Sequence, residues 1–299
     1  MRLLLLMVLT LTCGLLNAQV ILKTEYFGKS NYRMKDGEGS KAVGDAKGSS
    51  IVYQGGINVP LSIKVNNNGQ PKAWMLGASG AYVKLNNQNF TENLVVDKIL
   101  NYGLGVTHIR PISKKWSLLL SAGVGVYTSD VKLDQLSWSN VLGSFGVVFI
   151  CRIRPTFEIG GGLALNNSFG VPMLFPAFYL NWFLEGRFKV NVALKEGMSL
   201  STSYSLLRWL DVGVAVEMNG QMAVVDKDGK NHIFAHQYLV VGLRPEIQLT
   251  KKISFPIMIG IHATRTAEYK KRSLKYIFKE EQYFFKSSPY CSIGLKIGF

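Results

Sequence analysis

Past its leading segment the chain lacks any apolar run approaching the ~20 residues that a membrane-crossing helix needs. Amphipathic segments at helical spacing, which would pack against a sheet, are missing too. Cysteine is scarce, with three in 299 residues. Cys13 falls inside the leading segment, and Cys151 and Cys291 are too few and too far apart to suggest a disulfide framework. With only four histidines, a His- or Cys-based metal centre has few ligands to draw on. Acidic residues are also short, 19 against 34 Lys and Arg, giving a formal charge of +15. The basic residues are dispersed, which argues against nucleic acid as a partner. Anionic lipid headgroups or acidic glycans are the matching chemistry.

The leading segment, MRLLLLMVLTLTCGLLNAQ, carries one cation at Arg2, an apolar run from Leu3 to Leu16, and then Asn17 and Ala18. That is the layout of a secretory signal peptide, with cleavage expected between Ala18 and Gln19. Cys13 follows Thr12 within the apolar run, so it is read as part of the leader and not as a lipid attachment site. The expected organisation is a leader over 1–18 and one domain over 19–299.

What the rest of the chain has is period two. LDVGVAVEMN puts Leu210, Val212, Val214, Val216 and Met218 on one side, with Asp211, Gly213, Ala215, Glu217 and Asn219 on the other. A strand with one apolar face gives this alternation. WSLLLSAGVGVYT, QYLVVGLRPEIQL, FEIGGGLALN and KISFPIMIGI repeat it. Strands are expected near 20–30, 51–65, 72–86, 97–110, 116–129, 139–152, 156–167, 172–184, 187–195, 197–206, 210–222, 236–250 and 253–266, followed by the last strand. That makes about fourteen, twelve being the alternative. Short links such as RPISKKW, LEGR and LTKKI alternate with longer ones such as SDVKLDQLSWS and GQMAVVDKDGKNHIFA. KEGM is a short link on the long side.

An exported chain of half-apolar strands must satisfy its backbone polar groups, and in lipid only a helix or a closed barrel does so. Alternating short turns and long loops mark an antiparallel transmembrane β-barrel in an outer membrane. The fold class expected is therefore all-β, with hydrocarbon covering the outward face.

The final segment, SSPYCSIGLKIGF, alternates through Ile293, Leu295, Ile297 and Phe299. It resembles the C-terminal sorting strand of Gram-negative outer-membrane barrels, which implies recognition by the barrel assembly machinery during insertion. The stretches LNYGLGVTHIRPISKKWSLLLSAGVGVYTSD and PTFEIGGGLALNNSFGVPMLFPAFYLNWFLEGRFKVNVAL are similar to a Bacteroidota outer-membrane barrel family of unknown function. That resemblance implies a fold and an outer-membrane compartment, with lipid and lipopolysaccharide as surroundings, and no catalytic residue or cofactor.

Strand phase points Glu158, Lys189, Asp211, Glu217, Arg244, Glu246 and Lys296 inward, with Asn101 and Asn166. They are candidates for lining a charged lumen that selects solutes, or for pairing across it to hold the barrel rigid. His108 and His262 are expected to face the lumen. His232 and His236 have a spacing that suits shared metal ligation on a helix, but they fall in a strand-rich stretch, and no metal site is expected. Tyr179, Trp182, Phe183 and Trp209 lie near short turns, where an aromatic girdle belongs. The basic, aromatic loop spanning 265–287 offers either lipopolysaccharide contacts or a solvated face. The expected function is a passive channel or small-solute transporter without a cofactor and without enzymatic activity. The alternative is a non-conducting barrel that binds glycolipid or a protein through its external loops.

Overall fold

The computed structural model describes residues 18–90, 94–129, 137–168, 171–194, 197–227, 229–272 and 283–298. The leader expected over 1–18 falls outside these residues except for Ala18, as do Phe299 and positions 273–282 of the basic loop. The strands are β1 (Gln19–Asp36), β2 (Gly39–Val65), β3 (Pro71–Gln88), β4 (Lys98–Pro111), β5 (Trp116–Thr128), β6 (Val141–Arg154), β7 (Phe157–Asn166) and β8 (Met173–Leu184). They continue as β9 (Phe188–Leu194), β10 (Met198–Leu207), β11 (Leu210–Lys227), β12 (Lys230–Leu243), β13 (Glu246–Thr250), β14 (Ile253–Lys271), β15 (Tyr283–Phe285) and β16 (Ser288–Ile297).

From β1 to β12 each strand pairs antiparallel with its neighbours in sequence, and β16 returns to pair with β1 from Val20 opposite Ile297 to Phe27 opposite Tyr290. β12 and β13 are two parts of one wall strand, broken at Arg244 and Pro245, because both lie between β11 and β14. β15 and β16 likewise share the place between β14 and β1. Sixteen segments therefore close a ring of fourteen, and closure leaves no unpaired edge. The only helical element among the described residues is a three-residue turn, Trp138–Asn140.

Alternation sorts the side chains. Leu22, Tyr53, Leu104, Phe149, Phe178, Val214 and Ile259 are exposed on the outer face, where a water-soluble protein would need a second layer. Such a continuous apolar belt fits hydrocarbon. Ile293, Leu295 and Ile297 lie on this face, opposite the inward Lys296. Trp74, Trp116, Trp182 and Trp209 are exposed close to the short turns, forming a girdle. Tyr179 and Phe183 do not join it. They point inward, Tyr179 to the Glu158 carboxylate and Phe183 to the lumen. His108 is also corrected: it lies on the outer face, its ring stacked on Trp74 at 4.0 Å and its Nδ1 against the Ala73 carbonyl at 2.9 Å.

The wall is uneven in height. A tilted strand crosses a bilayer in about ten residues, and β7, β9 and β10 have 10, 7 and 10. On the other side, β1, β2, β11 and β14 have 18, 27, 18 and 19. The segment expected near 20–30 thus runs on to Asp36, and the stretch read as the long link GQMAVVDKDGKNHIFA is a β-hairpin. Both extensions end in two-residue turns, Asp36 opposite Gly39 and Lys227 opposite Lys230. Each turn holds a glycine at positive φ, Gly37 at 59° and Gly229 at 69°, as such hairpins require.

Register also places the two thiols. Cys151 pairs with Trp116 near a short turn, while Cys291 pairs with Tyr26 and Ile259, several residues above the chain end. Both are free, and they lie on well-separated strands of the ring. The expected outcome is that non-reducing electrophoresis of native membranes shows a monomer whose mobility is unaffected by reductant. A recovered Cys151–Cys291 bond contradicts this topology.

Candidate functional site: the barrel interior

The inward residues are arranged in levels from the short-turn end to the long-loop end. At the short-turn end, Lys189, Asp211, Arg244, Glu246 and Lys296 line a cavity of about 530 Å³ together with Asn181, Asn191 and Ser199. Lys189 Nζ bonds the Asp211 carboxylate at 2.6 Å, and Ser205 Oγ donates to it at 2.7 Å. Lys296 Nζ meets Glu246 at 3.1 Å, and Ser254 Oγ donates to the same carboxylate at 2.7 Å. A neighbouring cavity of about 590 Å³ adds Lys23 and Glu217, and it shares Ser199, Arg244 and Lys296 with the first. Glu217 is held by Lys23 at 2.8 Å and by Arg244 at 3.4 Å. Glu158 stands apart from both cavities, paired with Arg152 at 2.9 Å and bonded by Tyr179 at 3.2 Å. Each of the seven charged residues picked out by strand phase has an opposite charge in contact.

Higher up, the tall side of the wall fills its own interior. Phe27, Tyr32, Phe234, Tyr238, Phe285 and Tyr290 are fully or almost fully buried there. Among them lies Glu25, fully buried, whose carboxylate accepts from Tyr238 at 2.7 Å, Tyr290 at 2.6 Å and Gln54 at 2.7 Å, and faces Lys23 at 2.8 Å. Four donors answer the cost of removing this charge from water. Arg265 is equally buried, donating to Ser50 Oγ at 2.8 Å and the Gly48 carbonyl at 2.9 Å, with its guanidinium 3.9 Å from the Phe285 ring centroid. Gly48 is needed for this packing, since a Cβ there would lie 2.6 Å from that ring. The strand phase of LKTEY contained Lys23 and Glu25, but their paired role depends on β11, β12 and β16 arriving beside them.

The buried His262 and Ser288 are in contact, with Nε2 to Oγ at 2.7 Å. Ser288 Oγ donates to the Gly28 carbonyl at 2.7 Å, so it accepts from the imidazole. A histidine that donates to the hydroxyl does not act as its base, and the pair ties β14 to β16 and β1. His232 and His236 are four residues apart on a strand, a separation of about 13 Å, so the helical logic of shared ligation fails. No cluster of metal-ligating side chains occurs among the described residues.

At the long-loop end, the β11–β12 hairpin leans across the mouth to the far wall. Val224 bridges Thr128 of β5 in parallel, Asn101 Nδ2 donates to the Met222 carbonyl at 2.6 Å, and Asn140 Nδ2 donates to the Val224 carbonyl at 2.9 Å. Arg272, just past β14, reaches the opposite β7–β8 connection, donating to the carbonyls of Ser168 at 2.9 Å and Asn167 at 3.0 Å. Burial pulls the Arg272 pKa below the usual guanidinium value.

The chain belongs to a family defined by a domain of unknown function, DUF6268, whose model matches residues 15–298. No curated protein matches it in sequence. Among solved structures, the COG4313 outer membrane channel from Pseudomonas putida F1 is similar at 8% identity and a TM-score of 0.43, over 94% of this chain and 95% of that one. The translocator domain of the autotransporter NalP from Neisseria meningitidis is similar at 14% identity and 0.35, over 95% and 88%. The Pseudomonas putida toluene transporter TodX is similar at 7% identity and 0.34, over 95% and 90%. The closed ring and the apolar belt carry the assignment by themselves: this is an outer-membrane β-barrel protein.

Replacing Glu25 with Ala takes the acceptor from Tyr238, Tyr290 and Gln54 in the interior and leaves Lys23 with Glu217 alone. The expected loss of stability is roughly 3 kcal/mol or more, with a smaller loss for Glu25→Gln, which keeps an acceptor oxygen. Denaturant titration of the heat-modifiable folded band measures both.

Proposed function

We propose that this DUF6268 barrel is a gated channel for small polar solutes in a Gram-negative outer membrane, closed at its outer mouth by the β11–β12 hairpin. The observation that carries this reading is the hairpin's reach across the ring to β5, above interior cavities of about 770 and 590 Å³. A barrel needed only as an inert anchor has no use for such a void. Solute moves by diffusion through a lumen lined by Glu158, Lys189, Asp211, Glu217, Arg244, Glu246 and Lys296, whose paired charges present both signs to a passing molecule. No cofactor is required, and the orientation of Ser288 speaks against hydrolysis.

The same reading takes residues 1–18 as an export leader and the remainder as one domain, with Ile293, Leu295, Ile297 and Phe299 as the segment recognised by the barrel assembly machinery. Its supports are the outward phase of the three aliphatic residues and the start of β1 at Gln19. Lipid and lipopolysaccharide surround the belt, as the resemblance to Bacteroidota barrels also suggests.

A second reading, a non-conducting barrel acting through its outer loops, draws on the ion pairs that span the interior, from Lys23–Glu217 to Lys189–Asp211. Planar-bilayer recording separates the two. Under the channel reading, the wild type shows rare openings, and shortening the hairpin by removing 223–233 produces frequent discrete steps. Introducing Thr128→Cys with Val224→Cys at the bridging pair locks the mouth, and reductant restores conductance. Silence from a folded, hairpin-shortened barrel at every voltage supports the second reading.

A further inference from the structure

A further interior void differs in chemistry from the charged cavities below it. It encloses about 770 Å³, and its wall on β3 to β6 carries small inward residues, among them Gly103, Gly105, Gly123 and Ser144. Six carboxamides line it: Asn58, Asn101, Asn166, Asn219, Gln54 and Gln221. Its one formally charged lining residue, Lys23, is already engaged by Glu25 and Glu217 at 2.8 Å each. On the β5 wall the Tyr127 ring lies flat against the backbone of Gly125, where a Cβ would come within 2.8 Å of the ring.

We infer that this amide-lined chamber is a binding site for a neutral, hydroxyl-rich solute of mono- or disaccharide size. The inference rests on the channel reading for its access route and adds to it the class of solute. A carboxamide offers a donor and an acceptor side by side, and a hydroxyl asks for both. Within the wall Gln54 donates to Glu25, Asn101 to the Met222 carbonyl and Gln221 to Tyr238, and an apolar guest would strip water from the donor and acceptor positions these amides leave over, a cost of about 1–3 kcal/mol for each group left unmet. An ion would find no free counter-charge, because Lys23 is neutralised in place. The Tyr127 ring and the thioethers of Met75 and Met222 supply the apolar surface that the C–H face of a sugar ring needs. The volume lies within the ordinary range for small-molecule sites. The cavities adjoin one another toward the short-turn end, with Lys23, Gln54 and Asn219 lining both the first and the second, and Arg244 and Lys296 both the second and the third.

The test is titration calorimetry on the full-length barrel in detergent micelles, using glucose and maltose as probes, with sodium glutamate, lysine hydrochloride and hexanol as comparisons. Saturable binding of a sugar, absent for the other three, is the expected result. Replacing two amides together, Asn58→Leu with Asn219→Leu, is expected to weaken it about tenfold or more. Tyr127→Leu serves as a second, independent variant, and each variant is first checked for the heat-modifiable folded band. A folded wild type that takes up neither sugar, or that binds glutamate, lysine or hexanol equally well, overturns the assignment. Because binding is read without conductance, the two proposals fail separately. Sugar binding to a silent barrel removes the channel and keeps the site, whereas conductance without sugar binding does the reverse.

Discussion

Every other feature of this molecule depends on closure of the backbone ladder between β1 and β16. Without it, the last strand would present a row of unpaired amides and carbonyls to hydrocarbon, each costing several kcal/mol. With the eight register pairs from Val20–Ile297 to Phe27–Tyr290, the edge disappears, and side chains alone face the surroundings. Outward positions can then be uniformly apolar, which in a water-soluble sheet would require a covering layer. The ring also encloses an interior that must be filled, hydrated or both.

The barrel handles that interior in two ways. On the tall side it builds a dense core around Phe27, Tyr238 and Tyr290, where a carboxylate is held by four donors and a guanidinium by two acceptors and the face of Phe285. On the low side it uses glycine, serine and alanine, leaving space. Dense packing and open space are thereby assigned to different arcs of one wall. The charged residues near the short turns sit between these regimes, close enough to pair and still in contact with cavity.

Much of this was legible before any coordinates. A period of two is insensitive to context when one face meets lipid, so the all-β class and a ring of fourteen could be read directly. The extensions were harder to see. In residues 31–50 and 223–235 both faces of the strand are packed or solvated alike, so the alternation fades, although the Asp-Gly turns at 36–37 and 228–229 were a usable signal. His108 was misread because near the interface an imidazole can satisfy itself on a backbone carbonyl beneath an indole, something phase alone does not reveal. Nothing local in the chain discloses that Lys23 and Glu25 meet Glu217, Tyr238 and Tyr290, since those partners are supplied by strands nearly two hundred residues or more away.

The side-chain ties across the mouth share one further property. Asn101, Asn140 and Arg272 all donate to main-chain carbonyls: Met222, Val224, Ser168 and Asn167 contribute backbone oxygen and nothing of their own identity. The accepting loops are thus free to vary in sequence so long as their path is kept. A cell could change the face it shows to phage or antibodies by drift in those loops while the same three donors went on fastening the cover.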